Sequence, residues 1–349
     1  MTDHGGREIV DRVVADVGGA FSAGLGYIGD RLGLFRVLAS KGDCSSTELA
    51  ADLGLDERYV REWLKAMVSS GYIEAGGERY FMTPAQVAVL AEETSPVFAA
   101  GAFQFALPSL NLTPRLLECF RHGGGIPYGD LGPEIPEAID RMHRPWFEHQ
   151  LTQAWLPSVP GLGARLVSGI RVLDLGCGLG RSTVAIKRAW PDSDVVGVDP
   201  DGASIALATR LGAESGLDVQ FIEARLGDLS ENEPFDLIVA IDCIHDMADP
   251  VGELGEVRRM LSAEGILFWS EPAGSRNPME NRAPVEKMRA NLSPYHCLTV
   301  SLAEEGQALG TIVGEDGARE LSAQAGFRDF AVVPVDNRMQ QFFVLRKEP

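Results

Sequence analysis

An apolar stretch runs directly into a glycine-rich turn at residues 172–180, which have the sequence VLDLGCGLG. The stretch is apolar enough to form a strand that is covered on both faces, as the strands of a parallel sheet are. Each glycine lacks the Cβ atom that would prevent positive φ angles or a close approach of backbone to a ligand. Residues 181–190 then have helical spacing, so this unit is predicted to bind a nucleotide-like ligand at the carboxyl edge of the sheet.

Three kinds of glycine-rich loop compete for this turn, and their spacings differ. The dinucleotide motif G-x-G-x-x-G is not satisfied, because Arg181 or Thr183 stands where its third glycine is required. The phosphate loop G-x-x-x-x-G-K-[ST] is not satisfied either, because Leu175 replaces its first glycine and Arg181 replaces its lysine. The spacing that fits is acidic-x-G-x-G-x-G, and its residues are Asp174, Gly176, Gly178 and Gly180.

This spacing resembles the first motif of class I methyltransferases, which use S-adenosylmethionine and have a doubly wound, seven-stranded α/β fold. Their cofactor carries an ammonium group and a sulfonium but no phosphate, so an acidic residue such as Asp174 suits the mouth of the loop. A carboxylate about 20 residues further on, at the end of the next strand, can accept both ribose hydroxyls. Residues 194–199 form such a strand, and Asp199 is the predicted ribose ligand.

A third strand is predicted at residues 219–223 and is followed by Asp228 and Leu229. The resemblance implies that Asp228 lies near the adenine amino group and that the backbone N–H of the next residue donates to the adenine ring. The chain also contains two apolar segments, residues 329–335 and 340–346, separated by a turn. They match the antiparallel closing hairpin of the methyltransferase sheet, which a pure dinucleotide-binding fold would not normally contain.

A histidine follows the fourth predicted strand of the sheet. Residues 235–241 run into Asp242 and His245, and the neighbouring strand at residues 265–270 ends at Glu271. A neutral imidazole has a pKa of about 6.5 and can accept a proton from a hydroxyl that attacks a methyl group. Glu271 is predicted to orient this ring, and Asp242 is a candidate ligand for the amino group of the cofactor or for the substrate.

The dipeptide His245-Asp246 resembles that of plant-type O-methyltransferases, in which a histidine after the fourth strand is the base and an acid after the fifth strand supports it. Met247 departs from that pattern, because those enzymes often have tryptophan there. The resemblance implies methyl transfer to a small molecule, with oxygen as the favoured acceptor. Transfer to nitrogen, carbon or sulfur stays open, because an activated donor needs a base only when the acceptor must lose a proton.

The N-terminal region has the pattern of a winged helix. A capped helix begins at Ser45, a second helix covers residues 57–70, and two short strands surround Gly76 and Gly77. Such a domain can read DNA, and a regulator that binds the cofactor without methyl transfer is the alternative function. The second helix carries as many acids as bases, which disfavours DNA binding; these residues are Asp56, Glu57, Glu62, Arg58, Arg61 and Lys65.

Small-molecule O-methyltransferases of bacteria and plants resemble this chain in carrying a winged helix, which serves dimerisation and closes the substrate pocket. Residues 9–38 have apolar side chains at helical spacing, interrupted by glycines. A segment this apolar needs a partner surface, so we predict a homodimer through the N-terminal helices. Burial within one chain is the alternative.

The region between the two domains is predicted to be helical with one interruption, residues 122–136, which is rich in glycine and proline. This loop is either a lid or a connector. Its sequence HGGG also occurs in the oxyanion loop of esterases, but the chain has no G-x-S-x-G nucleophile motif. Candidate substrate-binding residues here are Tyr128, Trp146, Phe147 and His149, although packing between the domains would equally explain the aromatic side chains.

Residues 281–310 lie outside the predicted sheet and are expected to cover the substrate with Tyr295 and His296. His296 and Cys297 suggest metal binding together with His245 and Asp246. We predict no metal site, because adjacent residues of a strand point to opposite faces.

The 349 residues are divided as a helical and winged-helix domain at 1–95, a helical linker with a lid loop at 96–160, and a cofactor-binding domain at 161–349.

A formal charge of −19 disfavours nucleic acid and anionic membrane surfaces as partners. No apolar run is long enough to span a bilayer, and five dispersed cysteines lack a C-x-x-C pair. We therefore expect a cytoplasmic enzyme.

Overall fold

The computed structural model describes residues 3–229 and 233–347. The chain forms two compact units. The helical unit consists of Met1–Asn111 and Glu137–Pro145, and the sheet unit consists of Leu112–Pro136 and Trp146–Pro349. Residues 96–160, which the sequence suggested as a linker, are therefore divided between the two units.

The helical unit contains six helices and a small antiparallel sheet among its described residues up to 111. The sheet has the strand order β1-β3-β2, and the prediction of a winged helix is confirmed. The elements are α1 (Asp3–Arg31), α2 (Leu34–Lys41), β1 (Asp43–Cys44), α3 (Ser46–Leu53), α4 (Glu57–Ser69), β2 (Glu74–Gly76), β3 (Arg79–Phe81), α5 (Pro84–Leu90) and α6 (Gly101–Asn111).

Side-chain caps fix where the helix-turn-helix begins. Ser45 and Glu48 form a reciprocal capping box at the start of α3, and the Asp56 side chain accepts the Tyr59 N–H at the start of α4. The buried residues of α4 recur at helical spacing and form one face of the core of this unit. They are Val60, Trp63, Leu64 and Met67.

The apolar N-terminal stretch forms two helices, in agreement with the glycine interruptions in its helical spacing. Gly33 adopts a left-handed conformation with φ of 75°, which ends α1 and redirects the chain into α2. The C-terminal half of α1 packs in the unit, and Trp63 Nε1 donates to the Leu25 carbonyl at 2.8 Å. By contrast, every residue from 5 to 21 is exposed.

The sheet unit contains most of the remaining elements. They are α7 (Thr113–His122), α8 (Glu134–His149, shared with the helical unit), α9 (Leu162–Val167), β4 (Arg171–Leu175), α10 (Arg181–Ala189), β5 (Asp194–Asp199), α11 (Gly202–Ser215), β6 (Gln220–Glu223), β7 (Phe235–Ile241), α12 (Pro250–Met260), β8 (Leu261–Pro272), α13 (Pro284–Leu292), α14 (Cys297–Ala303), α15 (Gly314–Gln324), β9 (Asp329–Val332) and β10 (Gln340–Arg346).

The seven strands of this unit have the order β6-β5-β4-β7-β8-β10-β9. The first five strands are parallel, and β10 runs antiparallel to both β8 and β9. The predicted doubly wound sheet and its closing hairpin are therefore confirmed. The strand order reverses between β4 and β7, and ligands of such sheets bind beside this point.

The sheet is buried on both faces, as its apolar sequence predicts. Neighbouring residues of β4 belong to different apolar clusters, Val172 to one and Leu173 to the other. Because successive side chains of a strand point to opposite faces, these clusters are the two layers of the core. Among the described residues, no helix combines the length and the apolarity needed to cross a bilayer.

Arg141 of α8 is a buried cation at the centre of the helical unit. It donates to both carboxylate oxygens of Asp30, at 2.7 and 3.0 Å, and to Glu93 Oε1 at 2.9 Å. Gln104 Oε1 accepts a further bond at 2.5 Å. Asp30 is buried as well, and Arg36 Nη1 lies 3.6 Å from its Oδ1, so the direct bonds from Arg141 are the shorter of its two cationic contacts.

We expect Arg141→Met to lower the free energy of unfolding by about 3–5 kcal/mol, because it removes the two hydrogen bonds to the buried Asp30 carboxylate, leaves that carboxylate only its 3.6 Å contact with Arg36, and keeps the side-chain volume. Urea unfolding of the full chain measures this change. The matched control is Arg58→Met, which removes an exposed pair with Glu62 and should change the stability by less than about 0.5 kcal/mol. Equal losses in the two variants would contradict the assignment.

Candidate functional site

The glycine-rich turn between β4 and α10 has three glycines in left-handed conformations. The φ angles of Gly176, Gly178 and Gly180 are 68°, 51° and 80°. A Cβ on Gly178 would meet no atom within 4 Å, so this part of the turn faces open space that a ligand can enter. A Cβ on Gly180 would lie 2.6 Å from the Phe221 ring, so this glycine lets α10 pack closely.

Asp174 lies behind the turn. Its Oδ2 accepts hydrogen bonds from Ser182 Oγ at 2.5 Å and Thr183 Oγ1 at 2.6 Å. Burial raises the pKa of Asp174 to about 6, although the two hydroxyls oppose this shift. Asp174 therefore ties the end of β4 to the start of α10. The two hydroxyl residues were not predicted, although adjacent serine and threonine in the first turn of the helix after the last glycine were a readable signal.

Asp199 stands at the end of β5 beside the turn. Its Oδ2 accepts the Gly178 N–H and its Oδ1 accepts the Asp201 N–H, both at 2.9 Å. Burial raises the pKa of this carboxyl, and the two N–H donors oppose the shift. Because each carboxylate oxygen has a second lone pair, the group can still accept two hydroxyl donors from a ribose. A ligand with a vicinal diol therefore fits this position.

Asp228 and Leu229 follow β6 in a short 3₁₀ turn. The Asp228 side chain is exposed, and the Leu229 side chain is buried. The Leu229 N–H donates to the Leu226 carbonyl at 3.2 Å, so that backbone donor is occupied within the turn. The role of these two residues toward adenine remains a prediction.

His245 and Glu271 form a buried pair at the carboxyl edge of the sheet. His245 lies in the 3₁₀ turn after β7, Glu271 lies on the neighbouring β8, and Nδ1 is 2.6 Å from Oε2. The second oxygen of Glu271 accepts the Trp269 Nε1–H at 2.7 Å. His245 is 2% exposed and Glu271 is 0% exposed. Trp269 was not predicted, although its place two residues before Glu271 puts it on the same face of the strand.

The carboxylates around His245 control its protonation. Burial alone would lower the pKa of the ring, but Asp246 and Glu271 raise it well above the usual value. A carboxylate beside Nδ1 keeps the proton on that atom, so the neutral ring presents its lone pair at Nε2. The raised pKa makes the neutral ring a stronger base and reduces the fraction that is neutral at a given pH.

Asp242 joins β7 to the turn that carries His245. Its φ angle is 58°, which is uncommon for a residue other than glycine, and its N–H donates to the Ser270 carbonyl at 2.9 Å. Its negative charge opposes the lowering of the Arg289 pKa that burial causes. Local backbone strain of this kind clusters at functional sites. Asp242 thus lies at the predicted edge of the sheet, and its ligand remains a prediction.

The predicted lid loop lies against α14. The Ile126 N–H donates to Thr299 Oγ1 at 2.8 Å, and a Cβ on Gly125 would come within 1.9 Å of the Thr299 carbonyl. Tyr128 of this loop contacts the His296 ring edge-to-face, with centroids 6.0 Å apart. Burial raises the Tyr128 pKa, and the charges of Asp199, Asp201 and Asp246 raise it further. Tyr128 therefore lies close to carboxylates at and just after the end of β5 and to one that follows β7.

The other predicted substrate residues make separate contacts. Trp146 and Phe147 are half-buried and pack against one layer of the core, where Trp146 lies 6.1 Å from the Trp155 ring. His149 is half-buried at the end of α8. The Tyr295 hydroxyl lies 3.2 Å from Thr113 Oγ1. Aromatic packing thus accounts for Trp146 and Phe147, and a substrate role for these residues stays a prediction.

The expected strand around His296 and Cys297 is wrong. His296 is the N-cap of α14 and Cys297 is its first residue, so the alternation of a strand does not apply. Cys297 is buried, and its sulfur lies together with one ligand atom each of His245 and Asp246, all within 4.8 Å of one another. The helix brings to the site a thiol that the predicted strand would have turned away.

Two family models match the chain. A model described as a methyltransferase domain matches residues 166–317, and one described as an Rv2258c-like winged HTH domain matches residues 20–92. Curated relatives include ubiquinone biosynthesis O-methyltransferases of Pseudomonas syringae pv. tomato, 32% identical, and of Actinobacillus pleuropneumoniae, 29% identical. These matches cover 32% and 29% of this chain, and the chain spans about half the length of the relatives, 47% and 45%.

Several solved structures have the same fold over the whole chain. An O-methyltransferase family protein from Burkholderia thailandensis has a TM-score of 0.72 at 17% identity, covering 97% of this chain and 98% of that one. Human N-acetylserotonin methyltransferase in complex with SAM has a TM-score of 0.71 at 19% identity, covering 99% of both chains. PigF with SAH has a TM-score of 0.73 at 18% identity, covering 99% of this chain and 100% of that one.

The matched models and the seven-stranded sheet agree with each other. The turn also fits the cofactor of this fold, because Gly178 leaves an open cradle and Asp199 lies beside it. Residues 166–317 therefore match a methyltransferase domain on a sheet of the class I methyltransferase fold, and residues 20–92 match an Rv2258c-like winged helix-turn-helix domain.

Proposed function

We propose that this protein transfers a methyl group to a hydroxyl oxygen of a small molecule, with His245 as the general base. The observation that carries the proposal is the 2.6 Å contact between His245 Nδ1 and Glu271 Oε2 at the carboxyl edge of the sheet. A base held by a carboxylate has a fixed tautomer and a stabilised charged form. The O-methyltransferase names of the curated relatives support oxygen as the acceptor atom.

When bound, S-adenosylmethionine supplies a methyl group on a sulfonium and leaves as the thioether. Asp199 would hold the ribose hydroxyls, and the turn at Gly176, Gly178 and Gly180 would admit the rest of the cofactor. Asp174 contributes negative charge behind the turn, which favours a cationic ligand. We further propose that Asp228 and Leu229 border the adenine and that Asp242 receives the amino group of the cofactor or the substrate.

In this mechanism the proton of the acceptor hydroxyl moves directly to His245. His245 Nε2 accepts the proton of the acceptor hydroxyl as the new oxygen–carbon bond forms, and Glu271 stabilises the imidazolium through Nδ1. Trp269 donates to the other oxygen of Glu271, which keeps that carboxylate turned toward the ring. Much of the acceleration comes from positioning, because the methyl group is already activated. The predicted substrate residues Tyr128 and His296 would close the site above the acceptor.

His245→Gln should lower methyl transfer to hydroxyl acceptors by about 10²–10⁴-fold, because it removes the base and keeps a polar side chain. The loss should shrink for acidic phenols, which ionise without help. Radiolabelled methyl transfer to a panel from 4-methoxyphenol to 4-nitrophenol and to catechols measures both effects. His122→Gln, on the exposed end of α7, is the matched control.

The comparison requires that His245→Gln and His122→Gln bind the cofactor equally well. Titration calorimetry with S-adenosylmethionine measures both affinities. Glu271→Gln should lose turnover in the same direction as His245→Gln. A rate for His245→Gln equal to that of the unchanged protein on every acceptor would assign His245 a structural role.

Asp199→Asn should weaken S-adenosylmethionine binding by about 10–100-fold, because a charge-assisted hydrogen bond is worth about 1.5–3 kcal/mol. Calorimetry on the purified full chain measures the affinity. Asp218→Asn, at an exposed position before β6, makes the same chemical change and should leave the affinity unaltered. No saturable binding to the unchanged protein would refute the proposed function itself.

The alternative of a DNA-binding regulator is disfavoured by the charges on the winged helix. On α4, Arg58 pairs with Glu62, and Arg61 lies 3.4 Å from Glu57. In the wing, Arg79 donates to Asp43 at 2.9 Å. Because these arginines already have carboxylate partners, they offer little net charge to a phosphate backbone.

We infer that the biological unit is a homodimer formed through α1. Residues 5–21 of this helix are all exposed and carry an apolar stripe that no described residue of their own unit covers. The stripe is Val10, Val13, Val14, Val17 and Phe21, which are 50–72% exposed. A second copy of the same stripe would bury these side chains with two-fold symmetry. All five cysteines are free thiols, which suits a cytoplasmic location.

Val13→Asp combined with Val17→Asp should convert the dimer to a monomer, because two carboxylates would be buried in an apolar interface. Light scattering coupled to size exclusion gives the mass of the full chain. Val167→Asp places the same charge on an exposed valine of the sheet unit and should leave the mass unchanged. A monomeric mass for the unchanged protein would contradict the inference.

A further inference from the structure

An imidazole, a carboxylate and a thiol lie close together, and the imidazole is that of the predicted base, His245. His245 Nε2 lies 3.3 Å from Asp246 Oδ1, and the Cys297 sulfur completes a group whose ligand atoms all lie within 4.8 Å of one another. The residues come from two separate elements, the turn after β7 and the first turn of α14. His245 and Cys297 are buried, whereas the Asp246 side chain is 28% exposed. The group therefore opens to solvent on one side.

Asp246 Oδ1 is a buried acceptor that has no hydrogen-bond partner within residues 3–229 and 233–347. It faces His245 Nε2 at 3.3 Å, but this contact does not have hydrogen-bond geometry. A buried carboxylate oxygen without a donor is unfavourable unless a positive charge approaches it. An atom placed between Asp246 and His245 would satisfy both.

The spacing suits a small divalent ion. In a tetrahedral zinc site the bonds are about 2.0–2.3 Å long, so neighbouring ligand atoms lie about 3.5 Å apart. The His245–Asp246 separation already meets this requirement, and a Cys297 sulfur up to 4.8 Å away needs to come closer by at most about 1.3 Å. Imidazole, thiolate and carboxylate together favour Zn²⁺ over Mg²⁺ or Ca²⁺, which prefer oxygen ligands.

Outer contacts already orient two of the three ligands. Glu271 Oε2 holds His245 Nδ1 at 2.6 Å, which is the carboxylate–histidine arrangement of zinc sites and turns Nε2 toward the group. Thr311 Oγ1 donates to the Cys297 sulfur at 2.9 Å. The hydrogen bond restrains a sulfur that already lies within 4.8 Å of the His245 and Asp246 ligand atoms.

We propose that His245, Asp246 and Cys297 bind one Zn²⁺ ion, with the fourth position open to water on the side of Asp246. Binding forms bonds from the metal to Nε2, to a carboxylate oxygen and to sulfur, and it releases the thiol proton to solvent. The thiolate and the carboxylate then neutralise the charge of the ion. This revises our expectation from the sequence that no metal site exists.

Zinc binding has a consequence for the base, and this part rests on the proposed function. The metal uses the Nε2 lone pair that the acceptor proton requires, so the loaded protein should lose methyl transfer while keeping its cofactor site. The site is thus an inhibitory metal site that shares the histidine of the catalytic pair.

Titration of the metal-free full chain with Co²⁺ tests binding without any activity measurement. We expect one equivalent per chain and a thiolate-to-cobalt charge-transfer band, both abolished when Zn²⁺ is added. Cys297→Ser should remove the band, and Asp246→Asn should weaken Zn²⁺ affinity by more than the roughly 10–100-fold typical of losing an outer contact. Cys119→Ser, a half-buried thiol on α7, is the matched control and should retain the band.

Absence of stoichiometric Co²⁺ binding would overturn the proposal, as would a band that survives in Cys297→Ser and disappears in Cys119→Ser. Zn²⁺ that binds and raises methyl transfer would overturn the inhibitory role. The proposed function fails separately, through absence of S-adenosylmethionine binding or methyl transfer in the metal-free protein, and that result leaves the cobalt spectrum unaffected.

Discussion

The parallel pairing of β7 between β4 and β8 determines the geometry of the whole site. Leu175 at the end of β4 lies beside Ala240 of β7, and Ile241 lies beside Ser270 of β8. This register delivers the glycine turn, the His245 turn and Glu271 to one edge within three adjacent strands. Both faces of these strands are packed with apolar side chains, so a shift in register would move buried side chains to the wrong layer.

The sheet could be predicted from the sequence because the patterns that indicate it are local. The glycine spacing, the acid after β5 and the apolar strands each depend on a few neighbouring residues, and helix caps such as Ser45 with Glu48 are equally short-range. The pairing of His245 with Glu271 was also predictable, since adjacent parallel strands end at the same edge.

The parts that were missed depend on contacts that no local sequence pattern specifies. Cys297 was placed on a strand, whereas it begins a helix that packs on the turn after β7. Asp174 was predicted to bind the cofactor, and this stays a prediction; the sequence analysis did not name Ser182 and Thr183, which donate to its carboxylate from α10. A single sequence does not reveal which polar partner a buried carboxylate will find.

The position of β10 couples the site to the order in which the chain is made. β10 lies along β8, and the strand residue opposite Glu271 is Gln341. During synthesis β8 leaves the ribosome before β10. The side of β8 that later pairs with β10 therefore has no partner strand at first. Such an edge is open to pairing with other chains until β10 arrives. The carboxylate that steadies His245 therefore lies on a strand whose outer side is covered only after β10 has been made.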